Sequence, residues 1–149
     1  MIDLDALAGD RLYLDTNVLI YFVEGHATYR RLLERLFESL DENAFAAVTS
    51  EFTLAEVLVK PLADGKQEAA RVYMELLSSG SRLSVAEVDR MTLIRSAELC
   101  AQLNCRAFDA IHLATAQLRE CDYFVTEDMR IRVPDGLRLV HLSELTAKD

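Results

Sequence analysis

Five short apolar runs punctuate the chain, and helical patterns fill the gaps between them. Residues 11–14 (RLYL), 44–49 (AFAAVT), 82–88 (RLSVAEV) and 122–126 (DYFVT) each suit a strand, as does the run after the turn Pro134-Asp135-Gly136. Thr16 to Glu24 reads as a helix closed by Gly25. In "TYRRLLERLFESL", Tyr29, Leu32, Leu33, Leu36, Phe37 and Leu40 fall on one stripe, and Arg30, Arg31, Glu34, Arg35 and Glu38 fill a solvated opposite face. Ser50 can cap the next helix, which Pro61 is expected to stop. Asp64 is expected to cap another helix reaching Ser78 or Ser79, before Gly80. Asp89 to Asn104 and Phe108 to Glu120 read as two more. Strands alternating with helices predict an α/β domain around a mainly parallel sheet of about five strands. With 149 residues, the chain is expected to form one domain, 1–149, with its core at about 11–142. A ligand on such a sheet sits beyond the carboxyl ends of the strands. Asp15 ends the first predicted strand and Asp128 follows the fourth.

Four acids stand in awkward company. Asp15 follows "LYL", Glu56 interrupts "FTLAEVLV", Asp109 interrupts "AFDAIHLATA", and Asp128 follows "YFVTE". An ionised carboxylate among apolar neighbours must find a proton, a cation or hydrogen-bond donors. Taken singly, each has an ordinary reading. Asp15 and Asp109 can cap helices, Glu56 can face solvent or meet an arginine, and Asp128 can serve a turn. If the four converge, their repulsion calls for a divalent cation, and oxygen donors alone select Mg²⁺ or Mn²⁺.

Bulk properties set the frame. The net charge of -9 argues against a broad phosphate-binding surface, although a bound divalent ion and a local arginine patch reverse the local field. The hydrophobic fraction of 51% suffices for a core, and no apolar window has the length of a membrane span. The opening "MIDLDALAGD" lacks the basic-then-apolar form of a signal peptide. Cys100, Cys105 and Cys121 match no zinc spacing and suit reduced, buried thiols in a cytoplasmic protein.

"YLDTNVLIYF", "VTSEFTLAEVL", "FDAIHLATA" and "FVTEDMRI", in that order from about Leu12 to Leu142, resemble the motifs of PIN-domain ribonucleases, above all the VapC-type toxins of prokaryotic toxin–antitoxin pairs. The resemblance implies a three-layer PIN-like domain. It implies Asp15, Glu56, Asp109 and Asp128 as the catalytic, metal-holding acids, with Mg²⁺ or Mn²⁺ as cofactor and RNA as substrate. In that chemistry one ion activates water for in-line attack and a second stabilises the leaving oxygen. It also implies a cognate antitoxin protein that places a basic residue over the acids, and a homodimer.

Glu127 departs from the common pattern, so the fourth ligand lies between Glu127 and Asp128. Thr16, Asn17 and Thr126 can orient a carboxylate, a water or a phosphate, while Thr16 and Asn17 equally suit a helix start. His112 shares a helical face with Asp109. It reads as a general base or as a structural group, and the structural role is preferred because metal-activated water needs no imidazole. His26 and His141 have no supporting context. Arg106, Arg130 and Arg132 flank the third and fourth motifs, where they serve either phosphates or solubility. Tyr13, Tyr21 and Phe22 fit the core better than a base-stacking platform. The apolar faces around Tyr29–Leu40 and Ala69–Leu77 serve the domain's own core, an antitoxin groove or a dimer contact.

Competing chemistries lack their signatures. A haloacid-dehalogenase-type phosphatase needs Asp-x-Asp, and position 17 is Asn. The five scattered glycines form neither a dinucleotide fingerprint nor a P-loop. The remaining rival is a PIN-like protein-interaction module without nuclease activity.

Overall fold

The computed structural model describes residues 1–149. The sheet consists of β2 (Arg11–Leu14), β3 (Ala46–Ser50), β4 (Leu83–Ala86), β5 (Tyr123–Thr126) and β6 (Arg138–His141), in the order β4-β3-β2-β5-β6 and parallel throughout. A separate parallel pair joins β1 (Ile2–Asp3) to β7 (Leu145–Thr146). The six helices are α1 (Thr16–Glu24), α2 (Arg30–Asp41), α3 (Glu51–Ala63), α4 (Gln67–Leu76), α5 (Arg90–Leu103) and α6 (Ala107–Leu118). None is long and apolar enough to cross a membrane.

Strand side chains alternate between the two faces, so a buried sheet needs two cores. Leu12 and Leu14 of β2, Ala47 of β3, Val125 of β5 and Val140 of β6 enter one core with Leu19, Leu33, Leu36 and Val57. Tyr13, Val48 and Phe124 point the other way, against Leu99 of α5 and Leu113 and Ala114 of α6. The first four helices thus cover one face, and α5 with α6 cover the other. This is the expected three-layer α/β arrangement. The apolar faces of α2 and α4 are spent inside it, since Leu33, Leu36, Phe37, Leu40, Ala70, Tyr73 and Leu77 are all buried in the chain's own interior.

Several boundaries differ from the sequence expectation. Pro61 does not end its helix; α3 continues to Ala63. Only two residues of helix remain beyond it, and Pro61 lies on the same buried stripe as Thr53 and Val57. Asp64 caps no following helix. It closes α3, Gly65 takes φ +68°, and α4 begins after Lys66 without a side-chain cap. That helix ends at Leu76, short of Ser78. The β1–β7 pair went unanticipated because two-residue strands carry no periodic signal. All three cysteines are free thiols, but only Cys121 is buried; Cys100 and Cys105 are partly exposed.

The chain leaves β2 toward β3 and β4 on one side, and β5 leads to β6 on the other. The crossover reverses between β2 and β5, and a crevice opens beyond the carboxyl ends of those strands.

Candidate active site

Asp15 is the first residue past β2 and the N-cap of α1. Its amide is tied to the Val125 carbonyl of β5 at 3.0 Å, which fixes it at the mouth of the crevice. One carboxylate oxygen accepts the Thr16 amide at 2.9 Å, and the other accepts the Thr126 hydroxyl at 2.7 Å. Both sequence readings of Asp15 therefore hold at once, as helix cap and as site-facing acid. The residue is only 7% exposed, and no lysine or arginine pairs with it. Burial pushes its carboxyl pKa up, and the His112 charge and the two hydrogen bonds only partly offset this. Thr126, at the end of β5, also accepts the Asp128 amide at 3.0 Å, so one hydroxyl links the first and fourth acidic segments.

Glu56 rises from the middle of α3, and one of its oxygens receives two donors. These are the Thr16 hydroxyl at 2.8 Å and His112 Nε2 at 2.6 Å. Burial alone would raise its pKa; the hydrogen bond and charge of His112, with Thr16, outweigh this and hold the carboxyl below its ordinary range. His112 is itself buried, and its Nδ1 meets the Tyr13 hydroxyl at 2.6 Å. Burial holds the Tyr13 phenol well above its usual pKa, so it keeps its proton. His112 thus bridges two groups, with Nδ1 against the Tyr13 hydroxyl and Nε2 against the Glu56 carboxylate. Beneath it, Thr53 meets Thr16 at 3.3 Å and Thr49 at 2.9 Å, and Thr49 donates to the Leu14 carbonyl at 2.9 Å. Every buried side-chain polar atom of the chain has a partner.

Asp109 and Asp128 are held differently. Asp109 sits in the first turn of α6 but does not cap it; Arg106 Nε lies 3.2 Å from its carboxylate and 3.7 Å separates Arg106 from Asp128. Arg130 approaches Asp128 with its amide at 2.9 Å and its guanidinium at 3.0 and 3.2 Å. These bonds hold the Asp128 carboxyl below the ordinary range. Arg106 and Arg130, which the sequence left between phosphate grip and solubility, here serve the outer acids. Arg132 lines the adjoining hollow.

All four acids line one cleft of about 310 Å³, together with Thr16, Asn17, Arg106, Phe108 and His112. Glu127 is not among them. Its carbonyl accepts His141 Nε2 at 2.6 Å, and its carboxylate lies near the Tyr21 hydroxyl. Between the two candidates for the fourth position, the cleft contains Asp128. Asn17 is exposed on the rim.

No three of the His, Cys, Asp and Glu side chains stand close enough together to hold a metal ion. Glu56 is turned to His112 and Thr16, and Arg106 spans the outer pair. In donor chemistry the cleft does fit a hard divalent cation. It offers carboxylate oxygens, with hydroxyls behind them, and its innermost acid lacks a cationic partner.

Three features escaped the sequence. Tyr13 was assigned to the core, and it is there, but its hydroxyl also anchors His112. Thr53 gave a faint signal, since it stands three residues before Glu56 on one helical face. His141, which had no context, ends β6 and ties it to the Glu127 carbonyl beside Asp128, with Ser143 on its other ring nitrogen.

Residues 12–137 match the family model described as "PIN domain". Among solved structures, the chain resembles VapBC2 from Rickettsia felis bound to a DNA fragment from its promoter, with 20% identity, 88% of this chain and 98% of that chain covered, and a TM-score of 0.66. It also resembles a toxin–antitoxin complex from Klebsiella pneumoniae (23% identity, 85% and 94% covered, TM-score 0.62). A third is VapC20 of Mycobacterium tuberculosis, described as a Sarcin-Ricin loop cleaving toxin (16% identity, 76% and 86% covered, TM-score 0.61). No curated protein matches the sequence. The family match spans most of the chain and includes all four acids of the cleft: the chain belongs to the PIN domain family.

Proposed function

We propose that this protein is a Mg²⁺- or Mn²⁺-dependent endoribonuclease and the toxin of a toxin–antitoxin pair. PIN-domain proteins of the VapC type are generally ribonucleases, and the structures it resembles include toxin–antitoxin complexes and an RNA-loop-cleaving toxin. The observation that carries the reading is the convergence of Asp15, Glu56, Asp109 and Asp128 on one cleft, with Asp15 buried and free of any arginine. These four would hold the cation. When bound, it supplies Lewis acidity and activated water at a phosphodiester.

The chain's own residues do the positioning. Thr126 orients Asp15 and the Asp128 backbone together. Thr16 and His112 aim Glu56, and Tyr13 fixes the ring behind it. Arg106 and Arg130 neutralise the outer acids, and their guanidiniums carry the donors that would suit phosphate oxygens at the cleft mouth. A cognate antitoxin capping the acidic cleft, a homodimer and a cytoplasmic setting belong to the same reading.

The test is cleavage of single-stranded and structured RNAs with Mn²⁺, comparing the parent with Asp15→Asn. The variant is expected to lose more than the roughly 10–100-fold that removing an outer partner of a metal ligand costs. Full activity in the variant would sink the mechanism. The alternative, an interaction module without nuclease activity, draws support from the arginines already paired with Asp109 and Asp128. It predicts no heat on titrating Mn²⁺ into the protein.

A further inference from the structure

The cleft carries one side chain that neither the acids nor the His112 bridge requires. Phe108 is 63% exposed, although it lies between Ala107 and Asp109 at the start of α6 and lines the same cleft as the four acids. Most of the apolar area of this ring stays in water beside carboxylates. Its surroundings are polar, with Arg106 and Asp109 close in sequence and in space. That setting suits a ligand that is flat, apolar on its faces and anionic at its edge better than it suits an apolar protein surface.

The ring is also braced. Phe52, in the first turn of α3, lies 5.0 Å from Phe108, centroid to centroid, at 53°. Phe52 in turn lies 5.7 Å from the His112 ring, at 49°. Three rings therefore lead from the buried His112 to the mouth. A side chain held on one flank by tilted packing and open on the other loses little conformational freedom when a planar group stacks on it.

We propose that Phe108 is the stacking platform for an unpaired nucleobase next to the scissile phosphate. In an A-form duplex the base faces are already occupied by their neighbours, whereas splayed bases stack readily on aromatic side chains. Arg106, on the same wall, meets the phosphate of that nucleotide. The identity of the polymer as RNA rests on the ribonuclease reading above; the stacking itself does not.

Two measurements separate these claims. Because the chain contains no tryptophan, Phe108→Trp places a single indole reporter at the platform. In an Asp15→Asn background, a short single-stranded oligoribonucleotide is expected to quench its emission saturably, and a blunt duplex of the same sequence is not. In the Asp15-intact enzyme, Phe108→Ala is expected to raise KM for single-stranded RNA about ten-fold with a smaller change in kcat, and Phe108→Tyr to restore it. The proposal is overturned if the oligonucleotide binds by anisotropy without quenching the indole, or if Phe108→Ala leaves KM within two-fold of the parent. It is equally overturned if the indole emission shifts blue with protein concentration alone, which would assign the ring to a contact between copies. Saturable quenching in a protein whose parent cleaves no RNA would retain the platform and refute the nuclease.

Discussion

At the scale of single residues, the site is a set of carboxylates kept in place by neutral hydroxyls and one imidazole. Asp15 is the costly member, and its cost has a sign that can be measured. A carboxyl whose pKa is raised by burial destabilises the fold when ionised. That penalty is absent below the unfolded value of 3.8, where the group is protonated in both states, and grows as pH rises toward the folded pKa. Asp15→Asn is therefore expected to melt at a higher temperature than the metal-free parent at pH 7, with the gap narrowing as the pH is lowered toward 3.8. Mn²⁺ should reverse the order by stabilising the parent alone. Tyr13→Phe addresses the His112 bridge. It strips His112 Nδ1 of its buried partner, and about 1–3 kcal/mol of stability is expected to go with it in urea unfolding. Cleavage should fall by about 10–100-fold, since Glu56 loses its aim without losing its carboxylate. Thiol chemistry gives an independent check on the packing. Burial raises the Cys121 thiol to about 12, so an alkylating reagent at pH 8 should modify only Cys100 and Cys105 until the protein is unfolded.

At the scale of elements, the helix starts do the aiming. The Ser50 hydroxyl accepts the Phe52 amide at 3.0 Å and sets the first turn of α3, the helix that carries Thr53 and Glu56. Ser50→Ala is expected to cost about 1 kcal/mol in denaturant unfolding and to reduce cleavage more than that loss of folded protein explains. This cap was legible in the sequence, as was the Gly25 turn at φ +69°; the Asp89 cap of α5, whose carboxylate accepts the Thr92 amide at 2.9 Å, was read only as the start of a helix. Local chemistry governs each of these, and local chemistry is what a sequence displays. Pro61 misled because its cost depends on how much helix follows and on whether its ring is buried. Both are tertiary facts, and here they cancel the expected break. The β1–β7 pair stayed hidden because its registry, Ile2 opposite Leu145, comes entirely from the rest of the domain bringing the two ends together. The same limit applied to the acids. Spacing placed Asp15 and Asp128 at strand ends, but not Glu56 against His112, a contact 56 residues apart.

At the scale of the whole molecule, the proposed function asks a chain of net charge -9 to bind a polyanion through the few cations at its cleft, and this limits how its affinity responds to salt. Arg106, Arg130 and Arg132 line the cleft or the hollow beside it, and Arg106 and Arg130 are already engaged with Asp109 and Asp128. Each phosphate neutralised on a single strand contributes about -0.7 to the slope of log K against log salt. Three arginines therefore set the slope for single-stranded RNA at about -2, well below that of a protein with an extensive basic face. Arg106→Ala and Arg130→Ala should each flatten it by a little under one unit while weakening different sequences equally, because phosphate contacts carry no base information. Stacking on Phe108 is insensitive to salt, so the affinity surviving at high salt should be the part that Phe108→Ala removes. Fluorescence anisotropy of a labelled single-stranded RNA over a salt series, with these three variants in the Asp15→Asn background, measures both contributions at once. A slope steeper than about -4 would mean that RNA also runs over arginines outside the cleft, and the acidic exterior would then have to be crossed by a path other than the one through Arg106.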